Sequence, residues 1–399
     1  MRQCDDGLAE GNDKGSEVMK ELRSGVIEVG VRHPDRKLFD EFMPLPNGTS
    51  YNSYLVKGSE KTALIDTVDP EFTSVLMQNI AGQKIDYVIA NHAEQDHSGS
   101  LPAILERFPE CRLVCNEKCM ELLTTHLHIA KERFLIIKDE EELSLGDKTL
   151  KFIFTPWVHW PETMCTYLKE EKILFTCDFF GAHDAHFTLF VEDEKRVYDA
   201  AKRYYAEIMM PYRGAVNSNM EKLRDLPIDI IAPSHGPVHN NPKFILGAYA
   251  DWASDSVKRE VIIAYISMHG STKVAADRIA GRVMKTGIPV KKINLTEVSV
   301  GELAIDMVDA AAIIVGSPKF LAGLHPTVEH FLYFMNVLHP KAKLVGFFGS
   351  SGWGNKVEFK EKLENLKAEF LPILLVKGLP NQEDLATIDR FSDEIIKRV

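Results

Sequence analysis

NHAEQDHSGS, residues 91–100, follows directly on the apolar run IDYVIA of residues 85–90. The apolar run is typical of a buried strand, and the polar stretch lies at its exit. In an extended exit loop alternate residues point the same way, and charges packed this densely need metal ions or partners to offset their desolvation. The pattern favours a metal site over a polar loop that merely caps a strand. The side chains that could bind metal are His92, Glu94, Asp96 and His97.

Length and charge narrow the class of protein. The chain has 399 residues, 45% of them hydrophobic, which is enough for two cores. Its net charge is −11 and it has no long basic run, so we expect neither nucleic acid nor a membrane among its partners. The N-terminus is polar, without an apolar core of signal-peptide length, and no stretch approaches about 20 apolar residues. These features predict a cytoplasmic protein.

The cysteines predict reduced thiols. Six cysteines are scattered through a large chain, which is not the arrangement of a disulfide framework. Cys111, Cys115 and Cys119 recur at every fourth position, but their spacing is not that of a zinc ribbon or a ferredoxin. No pair of Cys-x-x-Cys knuckles follows the main body. We therefore expect any one-electron iron relay to come from another protein.

The pattern of secondary structure divides the chain near residue 255. We expect residues 1–22 to be a disordered polar tail, residues 23–255 to form one domain and residues 256–399 another. The first domain mixes short strands with helical spacing at 71–82 and 101–108, and a helix at 242–253 joins it to the second. Its strand-like runs are residues 25–31, 53–56, 63–66, 113–115, 135–137 and 150–155.

The second domain alternates strands and helices regularly. This alternation predicts a doubly wound parallel sheet of five strands with right-handed crossovers. The predicted strands are residues 261–266, 290–295, 311–316, 343–348 and 373–378. The predicted helices are residues 272–285, a segment near 300, residues 326–337, and helices that begin at 357 and at 382.

Three further metal-binding side chains follow predicted strands of the first domain. His159 lies in TPWVHWPET, Asp178 ends the apolar run of residues 173–177, and His235 lies in IIAPSHGPVH. Taken singly, each has a plain alternative as a residue of a polar turn. Together with the opening stretch, they resemble the metallo-β-lactamase superfamily over about residues 25–250. The resemblance implies an αβ/βα sandwich that gathers its metal ligands from loops along one edge.

This chain departs from the hydrolytic members of that superfamily at Glu94. Those members carry a His-x-His-x-Asp-His motif, whereas here a carboxylate replaces the second imidazole. A carboxylate hardens the site and adds negative charge, which moves the preference from zinc towards iron or manganese. With neutral imidazoles, Glu94, Asp96 and Asp178 bring −3 against the +4 of two ferrous ions.

Three loops of the second domain predict a flavin site. Residues 267–272, SMHGST, join a strand to a helix and resemble the phosphate loop of flavodoxins, although hydroxyls and amides at a helix N-terminus suit many caps too. The loops after the third and fourth strands lie where doubly wound sheets bind ligands. The resemblance to flavodoxins implies that these loops enclose the ring of FMN, with Phe320 or Trp353 stacked on it, although both aromatic rings could instead fill the edge of the sheet. The candidate FMN residues are Ser267, Met268, His269, Gly270, Ser271, Thr272, Ser317, Pro318, Lys319, Phe320, Leu321, Gly349, Ser350, Ser351, Gly352, Trp353 and Gly354.

The two domains in this order resemble the flavodiiron proteins, also called A-type flavoproteins. The resemblance implies that His92, Glu94 and His159 hold one iron, that Asp96, His97 and His235 hold the other, and that Asp178 bridges them. It further implies reduction of dioxygen to water, or of nitric oxide to nitrous oxide, at a diiron centre fed by FMN. The implied partners are a rubredoxin-like protein or a reduced deazaflavin as electron donor, and a second copy in a head-to-tail dimer.

Two other functions stay open at this point. One is a hydrolase of the same fold with a flavodoxin-like appendage, and the other is a flavin electron carrier whose metal site is structural. Hydrolysis needs a Lewis-acidic centre that activates water and gives no reason for a flavin. Some family members carry a histidine over the diiron pocket, but this chain has none between Asp35 and Asn52. The sequence therefore leaves the choice between the two gases open.

Overall fold

The structure, a computed structural model, describes residues 20–354 and 357–399. Most of the predicted polar tail, residues 1–19, lies outside the described residues, and so does Cys4. Residues 20–22 were assigned to that tail, but they belong to the first strand, where Leu22 is buried. The apolar side chain at this position therefore starts the folded domain slightly earlier than the composition indicated.

The first half of the chain contains short strands and helices. Its strands are β1 (Lys20–Arg23), β2 (Val26–Glu28), β3 (Val31–His33), β4 (Leu38–Phe39), β5 (Met43–Pro44), β6 (Thr49–Tyr51), β7 (Tyr54–Lys57), β8 (Thr62–Ile65), β9 (Tyr87–Ile89), β10 (Arg112–Cys115), β11 (Phe134–Ile136), β12 (Glu142–Ser144), β13 (Thr149–Phe154), β14 (Met164–Leu168), β15 (Ile173–Cys177) and β16 (Ile230–Pro233). Its helices are α1 (Thr73–Asn79), α2 (Gln95–Ser98), α3 (Leu101–Arg107), α4 (Glu117–Leu127), α5 (Glu194–Tyr204), α6 (Arg213–Leu223) and α7 (Pro242–Ala253). Single turns of 3-10 or π helix lie at Pro70–Phe72, Lys131–Arg133, Tyr205–Met209 and Met210–Tyr212.

These elements form two sheets packed face to face. One sheet has the order β1-β2-β7-β8-β9-β10-β11 and the other the order β12-β13-β14-β15-β16. Apolar side chains of both sheets, such as Val56 and Ile89 from one and Phe152 and Phe175 from the other, share one buried cluster. Helices α1, α3 and α4 cover the outer face of the first sheet, and α5 to α7 cover the second. The predicted αβ/βα sandwich is confirmed.

The second half is a parallel sheet with helices on both faces. Its strands are β17 (Lys258–Tyr265), β18 (Val290–Asn294), β19 (Ala310–Phe320), β20 (Gly323–Leu324), β21 (Leu344–Ser351), β22 (Glu369–Phe370) and β23 (Leu374–Lys377). Its helices are α8 (Ser271–Met284), α9 (Val300–Met307), α10 (Pro326–Leu338) and α11 (Gln382–Arg398), and a 3-10 turn lies at Lys360–Lys362.

The order of the main strands confirms the flavodoxin-like prediction. The sheet runs β18-β17-β19-β21, and β22 and β23 both pair in parallel with β21, so that two short strands occupy its last position. The hairpin β19-β20 is antiparallel. The helix predicted from residue 357 is wrong, since the described residues there form only the short 3-10 turn. Phe359 and Leu363 bury apolar surface without a continuous helix.

The two halves share apolar surface. Trp252 and Met209 from the first half belong to the same buried cluster as Leu303 and Phe331 from the second. The loop that connects β4 and β5 also reaches across, because Phe42 packs edge-on against His330 and Phe334 of α10. Among the described residues, no helix combines the length and the apolar content needed to cross a membrane.

Candidate active site

The candidate metal ligands lie at the ends of strands along one edge of the sandwich. His92 and Glu94 follow β9, Asp178 follows β15, and His235 follows β16. His159 lies in the loop between β13 and β14. Asn91, after β9, links the two sheets at this edge: its side chain accepts from Thr166 Oγ1 at 2.7 Å and donates to Asp66 at 2.9 Å.

All seven predicted ligands come together, in two groups. In the first group Glu94 Oε2 lies 3.1 Å from the Nε2 atoms of both His92 and His159. In the second group Asp96 Oδ2 lies 3.3 Å from the Nε2 atoms of both His97 and His235. Each group therefore presents two imidazole nitrogens and one carboxylate oxygen to a common point.

Asp178 belongs to both groups. Its Oδ2 atom lies 3.3 Å from Nε2 of His92 and of His159. Its Oδ1 atom lies 3.0 Å from His97 Nε2 and 3.3 Å from His235 Nε2. One oxygen of the carboxylate faces each group, which is the arrangement required of a carboxylate that bridges two ions.

The spacing of these atoms fits metal coordination. With bonds of about 2.1 Å to nitrogen and oxygen, neighbouring ligand atoms lie about 3.0 Å apart in octahedral and about 3.4 Å apart in tetrahedral geometry. The observed separations of 3.0 to 3.3 Å lie in that interval. Both oxygens of Asp96, Oδ2 of Asp178 and Nε2 of His235 are buried without a hydrogen-bond partner among the described residues. Buried polar atoms of this kind are costly unless something binds them.

The electrostatics of the site favour cations. Burial alone would lower the pKa of His92, but its hydrogen bonds to Glu162 and Glu94 raise that pKa well above the ordinary value. Burial is likewise outweighed at His235, where Asp178 and Asp96 raise the pKa to about 10. The carboxylates thus attract positive charge strongly enough to protonate buried imidazoles. Metal ions supply that charge instead and release the protons on binding.

The path of the chain through the opening motif differs from the sequence-based expectation. An extended exit loop would place the alternating residues His92, Glu94 and Asp96 on one side. Glu94 is extended, but it caps α2, so Asp96 and His97 lie in a helical turn. The turn directs Asp96 towards the second group of ligands, while His92 and Glu94 stay in the first. One ten-residue stretch therefore serves both metal positions.

A cavity of about 420 Å³ lies at the carboxyl ends of the strands in the parallel sheet of the second half. Its floor is the loop before α8, where Gly270 has φ +91° and Ser267 Oγ accepts from the Gly270 amide at 3.1 Å. Thr272 and Ser350 join two of the loops through a 3.0 Å hydroxyl contact. The lining residues are Ser267, Met268, His269, Ser271, Thr272, Pro318, Lys319, Ser350, Ser351, Gly352, Trp353 and Gly378. Gly378 is the one that the sequence analysis missed.

The two aromatic candidates differ in position. Trp353 lines the cavity and is 67% exposed. Phe320 packs edge-on against His325 at 5.5 Å instead. Ser317 and Gly354 line a small neighbouring cavity, and Leu321 is largely exposed. Of the two rings, Trp353 is the one placed to cover a planar ligand, while the hydroxyls near the start of α8 suit a phosphate.

Comparisons with known proteins agree with both regions. Residues 49–236 match the family model described as ODP family beta lactamase, and residues 263–388 match the model described as flavodoxin. The chain is 34% identical to the nitric oxide reductase of Moorella thermoacetica over 365 residues, which cover 88% of this chain and 91% of that protein. The chain belongs to the flavodiiron protein family. It is therefore an oxidoreductase whose cofactors are FMN and a pair of iron ions.

Solved structures of flavodiiron proteins superpose on nearly the whole chain. Rubredoxin oxygen:oxidoreductase from Desulfovibrio gigas has a TM-score of 0.91 at 29% identity, with 95% of this chain and 98% of that chain covered. The flavodiiron protein from Giardia intestinalis has a TM-score of 0.89 at 28% identity, with 96% of each chain covered. The order of the two halves is thus common to these relatives.

The flavodiiron site contains polar residues that the sequence analysis did not single out. Glu162 Oε1 accepts from His92 Nδ1 at 2.7 Å, and Ser50 O accepts from His235 Nδ1 at 2.6 Å. Tyr204 donates to Asp178 Oδ1 at 2.8 Å. These contacts orient the ligands from behind. Of these residues, only Glu162 could have been singled out from the sequence, because it lies three residues after His159.

Asp40 lies near the mouth of the metal site. It is on the loop between β4 and β5, next to Phe39, whose ring packs 4.9 Å from His183. Partial burial raises the pKa of Asp40, and the carboxylates Glu94 and Asp96 raise it further. The segment between Asp35 and Asn52 has no histidine, but its loop brings the Asp40 carboxyl group close enough to interact electrostatically with Glu94 and Asp96.

The cysteines that the structure describes are not paired in disulfides. Cys111, Cys115, Cys119, Cys165 and Cys177 are free and buried. Burial raises the pKa of Cys165 to about 12, which keeps its thiol protonated. Cys177 comes nearest to the metal site, within 4.8 Å of ligand atoms of His97 and Asp178. Its burial raises the pKa of that thiol as well.

Proposed function

We propose that this protein reduces dioxygen to water, nitric oxide to nitrous oxide, or both, at the paired metal site. The support comes from the shared carboxylate of Asp178, which gives one oxygen to each group of ligands. Two ions held by this one carboxylate would lie close enough to act on one small molecule together. In this proposal His92, Glu94 and His159 bind one iron, and Asp96, His97 and His235 bind the other.

The residues behind the ligands fix the geometry of the reaction. Ser267, Thr272, Ser350 and Trp353 would hold FMN in the cavity of the second half, where it would supply the conversion of paired electrons into single ones that a diiron pair requires. Tyr204 holds the bridging carboxylate through its hydroxyl, and Trp160 packs edge-on against His92 at 4.9 Å. The apolar ring keeps water from the rear of the ligand. Redox activity, rather than hydrolysis, follows from the hard ligand Glu94 and the adjoining flavin region.

The proposal also covers location and partners. We place the protein in the cytoplasm, with residues 20–255 as the diiron domain and residues 256–399 as the FMN domain. Its electron donor is a rubredoxin-like protein or a reduced deazaflavin. A head-to-tail dimer, or a dimer of dimers, brings the FMN of one chain to the diiron site of another, and exposed apolar groups such as Leu321 and Trp353 around the flavin cavity suit such a contact.

A paired turnover assay tests the function. The purified protein is analysed for iron, zinc and flavin, reduced chemically without oxygen, and then mixed with dioxygen or nitric oxide while flavin absorbance is recorded. We expect about two irons and one FMN per chain and rapid reoxidation by at least one gas. His159→Ala should slow that reoxidation to the rate at which reduced flavin reacts with the gas directly, whereas the exposed substitution Glu110→Gln should not change it.

Two outcomes would contradict the proposal. About two zinc ions per chain without flavin absorbance would favour the hydrolase of the same fold. Full iron and FMN occupancy, with neither gas consumed faster than by the His159→Ala variant, would favour an electron carrier. Both results come from the same preparation.

A further inference from the structure

The two metal positions are supported differently from behind. At the first position His92 Nδ1 donates to the Glu162 carboxylate at 2.7 Å, and the amide of Ala93 donates to the same oxygen at 3.0 Å. Glu162 is 1% exposed, so water does not weaken this contact. An imidazole that donates to a carboxylate is a more basic ligand for a metal ion.

At the second position, within the described part of the chain, the hydrogen bonds that reach the histidines from behind come from neutral groups. His235 Nδ1 donates to the backbone carbonyl of Ser50 at 2.6 Å. Nδ1 of His97 is buried without a hydrogen-bond partner among the residues that the structure describes. The hydroxyl of Tyr204 donates to Asp178 Oδ1, the oxygen that faces His97 and His235, and thereby draws electron density from it. Each of these differences lowers the metal affinity that we expect at the second position relative to the first.

The loop that carries Glu162 also carries a ligand of the first position. His159 and Glu162 lie three residues apart between β13 and β14. The loop is held in place because Asn116 Nδ2 donates to the Glu162 carbonyl at 2.6 Å and Thr163 Oγ1 donates to the Trp160 carbonyl at 3.0 Å. The first position is therefore formed by a fixed segment that supplies one ligand and orients another.

From this asymmetry we infer that the two metal positions fill in order, the His92, Glu94 and His159 position first, and that Glu162 is the positioning residue that sets the order. The inference rests on the diiron site of the proposed function. The ligand sets themselves are matched, with two imidazoles and one carboxylate on each side of Asp178. A difference in affinity then comes from the groups behind the ligands, and among the described residues Glu162 is the charged group that hydrogen-bonds directly to a ligand histidine from behind.

Cobalt titration of the full-length, FMN-containing protein tests the order. The metals are removed with a chelator, Co²⁺ is added anaerobically, and binding is followed by calorimetry and visible absorbance. We expect two resolved steps. Glu162→Gln, which keeps the shape but removes the charge, should weaken the first step by about 10- to 100-fold and leave the second nearly unchanged. Glu110→Gln removes an exposed carboxylate and serves as the matched control.

Ligand variants supply a second measurement that does not depend on Glu162. His159→Ala should remove the tight step, and His235→Ala should keep it and remove the weak one. The reverse result, or equal weakening of both steps by Glu162→Gln, overturns the inference. Far-UV circular dichroism and flavin content are recorded for each variant, so that an unfolded protein is recognised and the His159 and His235 pair decides.

The test separates the inference from the function. If the wild type binds fewer than two cobalt ions per chain, the diiron assignment itself fails. If two ions bind with equal affinity or in the opposite order, only the inference fails. Gas turnover does not enter either result.

Discussion

The metal site and the flavin cavity are completed by the chain to different degrees. The seven candidate metal ligands are buried or nearly so, and contacts such as those of Glu162 and Tyr204 hold some of them in place. Around the flavin cavity, by contrast, Trp353 is 67% and Leu321 74% exposed. The protein thus preorganises the metal site by its own folding, whereas apolar side chains around the flavin cavity stay exposed.

The difference shows where each cofactor gets its affinity. Buried charges at the metal site are unfavourable without ions, so the site gains by binding them. The flavin loops carry hydroxyls, amides and an aromatic ring. These groups can stay exposed to water, so the loops lose little when no ligand is bound. A change at one region should therefore leave the other occupied, as long as the apolar cluster shared by the two halves stays intact.

The largest effect is expected from Asp178→Ala. The substitution removes a ligand from both metal positions and leaves the histidines around it without their carboxylate. Since loss of even an outer partner costs about 10- to 100-fold in metal affinity, we expect a loss of at least 100-fold, with FMN retained. Iron content by elemental analysis and flavin absorbance measure the two effects.

Asp199→Ala, an exposed substitution on α5, is the control for Asp178→Ala. It should keep both cofactors. If Asp178→Ala lost FMN together with iron while the control kept both, the two regions would not be independent, and the comparison above would be wrong.

Gly270→Val is expected to have the reverse effect of Asp178→Ala: it should weaken FMN binding and leave iron bound. Gly270 has φ +91°, and a Cβ there would meet no protein atom within 4 Å, so that it would project into open space beside the loop. A β-branched residue is strained in this conformation, by about 1 to 3 kcal/mol, and it would also crowd a phosphate. We expect about a tenfold or greater loss of FMN affinity with iron retained, measured by fluorescence titration of the flavin-free protein.

Gly287→Val is the matched control. Gly287 has φ +80° and also meets nothing within 4 Å, but it follows the other end of α8. The two substitutions cause similar backbone strain. A difference in FMN affinity between them therefore measures how strongly a side chain at Gly270 crowds the phosphate. Equal FMN affinity in the two variants would count against the loop assignment.

The sequence predicted residues whose chemistry is unusual for their surroundings. His92, Glu94, Asp96 and His97 stand out because charged side chains rarely crowd the exit of an apolar strand. The alternation of strands and helices in the second half likewise predicts a parallel sheet, since antiparallel strands would not need a helix between them. Both predictions depend on local sequence pattern. The structure brings these four side chains close to one another, and the second half contains a parallel sheet.

Other features depend on contacts between distant segments. Ser50 and Tyr204 reach the metal site only because β6 and α5 meet β15 and β16 in space. The helical turn at Gln95–Ser98 was missed because four residues are too few to show a helical period. The break after residue 357 was missed because apolar spacing there fits a helix, although two short strands, β22 and β23, share the sheet position that follows.

The third test concerns the boundary between the two halves. Glu207 lies in the π-helical turn Tyr205–Met209 and is 4% exposed. A side chain on Gly301 of α9 would collide with its carboxylate. Burial raises the pKa of Glu207 from 4.5 to about 7, and Arg203, whose NH1 lies 3.5 Å from Oε1, offsets this only in part.

The sign of the pH effect follows from this raised pKa. Between about pH 4.5 and 7 the folded protein holds a proton that the unfolded chain has lost. Stability therefore falls as pH rises through this window, by up to about 3 kcal/mol. Glu207→Gln should remove that fall and raise the urea midpoint at pH 8 more than at pH 5. Glu221→Gln, an exposed control, should leave the pH profile of the wild type, and an unchanged profile in Glu207→Gln would refute the prediction.

The smallest effect is expected from the aromatic rim of the flavin cavity. Trp353 lines the cavity, whereas Phe320 packs against His325. A stacked aromatic pair contributes about 0.5 to 1.5 kcal/mol, so Trp353→Ala should weaken FMN by about 2- to 12-fold without affecting the metal content. Phe320→Ala should change FMN affinity less, because its ring is held by the histidine. Flavin fluorescence titration of both variants measures the difference. A larger loss in Phe320→Ala would move the stacking position from one loop to the other, and it would show that the exposed rim, unlike the buried ligands, rearranges when its cofactor binds.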